Sequence, residues 1–195
     1  MRLNFISAIG LIAAAIITLS NTYRITSAGA PIGSTGAPDE ATCGKVGCHT
    51  GKDNINTGTG NLRLQMDGFS GTYIPGKVYK ITTTIEQPHI NRFGFAFTAL
   101  NDTKQKAGML QTIDDSRTQL MSGSNAFEGR EYLTYKPLGT NPYKTNKGQW
   151  TFLWKAPEQN EGTITFYVAA VTANNDGTDK GDEVYTDSLV LTFNH

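Results

Sequence analysis

Cys43 and Cys48 are the only two cysteines of this 195-residue chain, and a histidine, His49, follows the second one directly. The local run is Ala41-Thr42-Cys43-Gly44-Lys45-Val46-Gly47-Cys48-His49-Thr50-Gly51. Two thiols ahead of an adjacent imidazole are the parts of a covalent haem attachment, whose usual spacing is C-x-x-C-H. There the thiols add to the two vinyl groups of haem, and the imidazole takes one axial position on iron. Here four residues separate the cysteines, so the spacer must bulge while the sulfurs keep their separation. Gly44 and Gly47 permit this because neither carries a Cβ. C-x4-C-H is a variant spacing of multihaem cytochromes.

Three other readings use the same residues. Cys43 and Cys48 could close a small disulfide loop in an oxidising compartment, leaving His49 an ordinary exposed side chain. They could hold zinc with His49, although a fourth ligand is not evident and contiguous Cys-His is awkward for a closed tetrahedral site. A blue-copper site would use His2Cys and a weak Met, but the Cys-His pair here precedes the strands instead of lying in the last loop. Haem is favoured because it requires the contiguous Cys-His, for which a disulfide has no use.

If haem binds, the sixth ligand is absent or comes from elsewhere. Met66, Met109, Met121, His89 and His195 are the available side chains of the usual types. Met66 falls on an alternating apolar face and reads as core. His89 follows Pro88 at a strand entrance, His195 is the last residue, and Met109 and Met121 sit in a weakly patterned region.

The run Asn174-Asn175-Asp176-Gly177-Thr178-Asp179-Lys180-Gly181-Asp182-Glu183 clusters oxygen side chains that could suit calcium. Without EF-hand spacing it reads better as a solvated loop using Asn-Asp-Gly turn chemistry. No G-x-S-x-G, H-E-x-x-H or phosphate-binding glycine loop is present, so no catalytic constellation stands out and the chain is not expected to be an enzyme.

The elements that must position the cysteines follow from composition and periodicity. Charged residues make up 17%, below the roughly 25% of an average soluble domain, and formal net charge is zero. No basic field exists to collect nucleic acid or anionic lipid. Arg2 and the apolar run over residues 5–19, interrupted by Ser7, Gly10 and Thr18, predict a signal peptide over 1–28 and an exported protein. That run is too short for a comfortable membrane span, and no span is expected after it. Cleavage is placed near Ser20 or after Ala28, and no Cys sits where a lipoprotein anchor would need one.

Residues 29–60 are poor in large apolar side chains and read as an arm or extended loop. Beyond them the apolar pattern has period two, the mark of half-buried strands. Leu62, Leu64 and Met66 alternate, then Tyr79, Ile81, Thr83 and Ile85 after a Pro75-Gly76 turn. Phe93, Phe95, Phe97 and Ala99 share one face of a third strand, whose other face carries Gly94 and Ala96 and leaves room for a close approach. Trp150, Phe152 and Trp154 follow, then Ile164, Phe166, Val168 and Ala170, then Leu189, Leu191 and Phe193. Over 101–148 the pattern weakens, and one or two short strands are expected near Met109 to Ile113 and Tyr132 to Tyr135. Residues 61–195 thus predict an all-β, antiparallel two-sheet β-sandwich.

Several of these segments together resemble the reelin-domain (reeler) proteins, specifically the bacterial exported choice-of-anchor V domain group. The matching pieces are Ser34-Thr35-Gly36-Ala37-Pro38, Thr42-Cys43, Cys48-His49-Thr50-Gly51, Arg92-Phe93-Gly94-Phe95 and Thr98-Ala99-Leu100. Trp150-Thr151-Phe152, Ala156-Pro157, Thr165-Phe166-Tyr167 and Gly181-Asp182-Glu183-Val184-Tyr185-Thr186 continue the series in order. The resemblance implies a reeler-like β-sandwich in the periplasm or at the cell surface, with a Cys-x(2–4)-Cys-His arm that looks like a haem-attachment sequence in many bacterial members. Members often carry a mid-domain His after a Tyr-containing strand, where this chain has Glu131-Tyr132-Leu133-Thr134-Tyr135. If that His is a distal ligand, Tyr135 or nothing replaces it. The chain closes at Phe193-Asn194-His195, where many relatives append a sorting or anchor module.

Two functions are therefore expected to compete. One is a haem c protein with Cys43 and Cys48 as thioether donors and His49 as proximal iron ligand, acting with a redox partner protein or binding a small ligand outside the cytoplasm. The other is a surface adhesion or matrix-interaction module carrying a Cys43–Cys48 disulfide and no haem.

Overall fold

A computed structural model describes residues 29–44, 48–49 and 55–193. The segment read as a signal peptide and the candidate ligand His195 lie outside the described residues, as does the spacer 45–47. No described helix is long and apolar enough to cross a membrane.

Ten strands form two sheets. They are β1 (Asn61–Met66), β2 (Thr72–Tyr73), β3 (Val78–Glu86), β4 (Arg92–Asn101), β5 (Met109–Thr112), β6 (Thr118–Ser122), β7 (Glu131–Tyr135), β8 (Lys147–Lys155), β9 (Ile164–Ala173) and β10 (Glu183–Phe193). One sheet has the order β1-β3-β8-β5, and the other β2-β10-β9-β4-β7-β6. All pairings are antiparallel except β2 with β10. The predicted all-β sandwich is the observed architecture.

The alternating aromatics make the core because successive strand side chains point to opposite faces. Trp150, Phe152 and Trp154 of β8 face Phe93, Phe95 and Phe97 of β4 across the sandwich, and all six are buried. Phe95 stacks on Trp150 at a ring separation of 4.3 Å, and Phe97 meets Phe152 edge-on at 4.7 Å. The indole N–H groups do not go unpaired in this core. Trp150 Nε1 donates to the Gly139 carbonyl at 2.9 Å and Trp154 Nε1 to the Ala107 carbonyl at 2.8 Å.

The weakly patterned stretch holds three short strands, β5, β6 and β7, where one or two were expected. β5 and β6 are edge strands with exposed Met109 and Leu120, so their apolar residues do not track a buried face. β4 and β9 depart from simple alternation in the other direction, since eight of ten residues in β4 and seven of ten in β9 are buried, on both faces. Over β9 the second cover is the N-terminal arm, through Cys43 against Ala169 and Val171.

Candidate functional site

The outward face of the six-stranded sheet is made of small side chains. Register places Gly94 opposite Val171 and Ala96 opposite Ala169, and then Val171 opposite Val184 on β10. Such a surface lets another backbone approach closely. Cys43 packs against Ala169, Val171 and Val184, with Ile55 completing the cluster. At Gly94 it is the Tyr135 ring that approaches: an added Cβ would stand 2.8 Å from its Cε1. That contact accounts for the space that Gly94 leaves.

Glu40 pins the arm in place. Its carboxylate accepts from Arg130 Nη1 at 2.6 Å and from the Tyr132 hydroxyl at 2.7 Å through one oxygen. The other oxygen accepts from the hydroxyl of Thr35 at 2.5 Å and its backbone N–H at 3.2 Å. The Glu40 side chain is fully closed off from water and that of Arg130 is 7% exposed. A buried carboxylate needs such partners to offset its lost hydration. Arg130 also donates to the carbonyls of Pro38 and Lys104, which uses the planar fork of its guanidinium. Burial first, and then its hydrogen bond to the Glu40 carboxylate, push the Tyr132 phenol up. Farther along, Ala30 N–H donates to Thr134 Oγ1, and Thr35 bridges Thr42 as a short antiparallel pair.

The two cysteines sit in different environments and are not joined to each other: Cys43 is buried and Cys48 exposed. Burial, and secondarily the Cys48 sulfur, push the Cys43 thiol up to about 12. Its Sγ points at the Ser34 carbonyl, 3.8 Å away. Gly44 is buried beside it, and the other three residues of the spacer that was expected to bulge lie outside the described residues.

His49 is fixed from below by a residue distant in sequence. Its Nδ1 lies 2.5 Å from Oδ2 of Asp182, with the imidazole 31% exposed and the carboxylate 3% exposed. The second carboxylate oxygen accepts the backbone N–H of Asn174 at 3.3 Å. This arrangement fits a metal-binding imidazole, which characteristically gives its other ring N–H to a carboxylate or carbonyl and leaves Nε2 for the metal. Among the described residues no three His, Cys, Asp or Glu side chains converge as ligands for a bare ion.

The 174–183 run is a turn held by its own amides. Asn174 Oδ1 accepts from the Asp176 N–H, and Asp176 Oδ1 accepts from the N–H and hydroxyl of Thr178. Those hydrogen bonds hold the Asp176 carboxyl below its ordinary range. The loop's one buried carboxylate, Asp182, serves His49.

The candidate sixth ligands scatter. Met66 is buried in the core between the sheets, as its alternation predicted, whereas His49 lies over the outer face. Met109 stands exposed on β5, in the opposite sheet, and Met121 is on β6 at the far edge of the six-stranded sheet. His89 is an exposed turn residue with a positive φ of 63°. It occupies the end of the sandwich that also carries the 174–182 loop, where Arg92 links Asn175 to Thr140 and Asn141.

Glu40, Arg130, Tyr132 and Asp182 are the site residues that sequence reading missed. The available signals were charged residues bordering motif segments, Glu40 just before Thr42-Cys43 and Asp182 within Gly181-Asp182-Glu183.

No protein-family model matches the chain, and no curated protein matches it. Among solved structures the chain is similar to the Reelin-N domain of F-spondin, at 23% identity over 69% of this chain and 86% of that one, with a TM-score of 0.49. A human F-spondin reeler domain is similar at 24% identity over 68% and 92%, with a TM-score of 0.47. A cohesin module from a Clostridium perfringens family 33 glycoside hydrolase is similar at 12% identity over 69% and 96%, also with a TM-score of 0.47.

Proposed function

We propose that this chain is an exported haem-carrying β-sandwich, in which Cys43 and Cys48 would hold the group as thioether donors and His49 would be the imidazole that binds its iron. It acts in electron transfer or small-ligand binding outside the cytoplasm. The observation that carries this reading is the 2.5 Å contact from Asp182 to Nδ1 of His49, directly after the second cysteine of the C-x4-C-H run. A covalently held haem supplies a one-electron couple or an open coordination position. The chain contributes a held imidazole, an exposed thiol at Cys48 and a sandwich that anchors the arm on both sides of the motif.

One consequence concerns order. Cys43 packs against Ala169, Val171 and Val184 and is buried. For Cys43 to serve as a thioether donor, the arm would have to be undocked when its sulfur is engaged. Glu40 and its partners set how firmly it is held.

The deciding experiment is the intact mass of protein matured in a host competent for cytochrome c maturation, read beside its visible spectrum. The expected result is the mass of one added haem, lost in the Cys43→Ala/Cys48→Ala variant. An unmodified mass, or one lowered by two protons with no Soret band, would overturn it and leave a disulfide-pinned binding module.

A further inference from the structure

Asp182 does more than the spacing of the motif requires. A carboxylate only accepts hydrogen bonds, so the hydrogen in its contact with His49 must reside on Nδ1. That fixes the tautomer and leaves the Nε2 lone pair directed away from Asp182. Asp182 is itself held: it is 2% exposed, its Oδ1 is engaged by the Asn174 N–H, and its loop is braced by the Asn174 and Asp176 side chains. A low-dielectric setting strengthens such a bond and makes the imidazole a better electron donor.

We propose that Asp182 is the positioning residue of the arm: it locks His49 in the Nδ1–H tautomer and makes Nε2 an electron-rich donor toward iron. The turn-forming loop 174–183 is then the scaffold that delivers this carboxylate to the outer face of the sheet. The role toward iron rests on the haem reading, whereas the tautomer lock does not.

The test uses Asp182→Asn and Asp182→Ala in the full mature chain. Asn keeps an acceptor without the charge, and Ala removes both. In haem-free protein, 15N spectra of the histidine ring, taken where imidazoles are neutral, should show His49 as the Nδ1–H tautomer in the parent chain. They should show a mixture in Asp182→Ala. In haem-loaded protein the midpoint potential should move positive from the parent through Asn to Ala, because a weaker axial donor stabilises ferric iron less. Protection of Cys43 from alkylation in each haem-free variant reports that the arm is still docked. An unchanged tautomer in Asp182→Ala with the arm docked would overturn the lock, and equal potentials across the three would overturn the donor role. If no haem is found by mass, the haem reading and the donor role fail together, while the ring spectra still decide the lock.

Discussion

Glu40 Oε1 stands 2.6 Å from Nη1 of Arg130, with one side chain from the arm and the other from the turn before β7, and both are closed off from water. Glu40→Gln keeps the size and one acceptor but leaves the guanidinium without its counter-charge. Removing one partner of a buried pair costs about 3 kcal/mol or more. Urea unfolding of the haem-free variant should show that loss, and an unchanged midpoint would mean that the arm does not contribute to the fold.

The strands that carry the core were legible because they bury one face against large aromatics. Trp150, Phe152 and Trp154, or Phe93, Phe95 and Phe97, cannot be read as anything but period two. β5 and β6 were blurred because edge strands expose part of both faces, so Met109 and Leu120 obey no burial rhythm. β7, between β4 and β6, is instead a five-residue strand buried on both faces at Tyr132, Leu133 and Thr134, and it shows no alternation. The site was half legible. The motif announces Cys43, Cys48 and His49 by spacing, but Glu40 meets Arg130 across 90 positions and His49 meets Asp182 across 133. Pairings of that length leave no local pattern, since only the topology of the sandwich brings them together. The small outward residues Gly94 and Ala96 did signal a close approach, without saying that Tyr135 would make it.

The two thiols should differ sharply in reactivity before any haem is attached. The thiolate is the nucleophile, and a thiol moved from 9.0 up to about 12 has a thiolate fraction roughly a thousandfold lower at mild alkaline pH. Iodoacetamide should therefore label Cys48 readily and Cys43 only after denaturant releases the arm. Peptide mapping reads both sites, and equal labelling in native buffer would show that Cys43 is not packed against β9 and β10.

Alkaline pH should loosen the haem-free protein. Burial raises the Cys43 thiol and the Tyr185 phenol to about 12, and the Tyr132 phenol moves the same way. A group raised on folding adds stability that is whole below its unfolded value and is lost as pH climbs through its folded value. The unfolded values are near 9.0 for the thiol and 10.0 for the phenols. Stability from these groups should be level below pH 9.0 and decline from there toward about 12. Denaturant midpoints measured across that window check it, and a midpoint that rose with pH would contradict the burial of all three.

Thr83 offers the opposite sign. It lies on the inward face of β3 with Ile81 and Ile85, fully buried, and its Oγ1 has no hydrogen-bond partner among the described residues. Burying a hydroxyl without a partner costs about 1–3 kcal/mol in mutational data. Valine has nearly the same shape, keeps the β-branched fit to the strand and removes the unpaired oxygen. Thr83→Val should raise the stability of the sandwich by about 1 kcal/mol, since repacking around the new methyl takes back part of the gain. The readout is the urea midpoint at constant slope. A loss of stability would mean that the hydroxyl is satisfied in solution, with an ordered water as the obvious donor or acceptor.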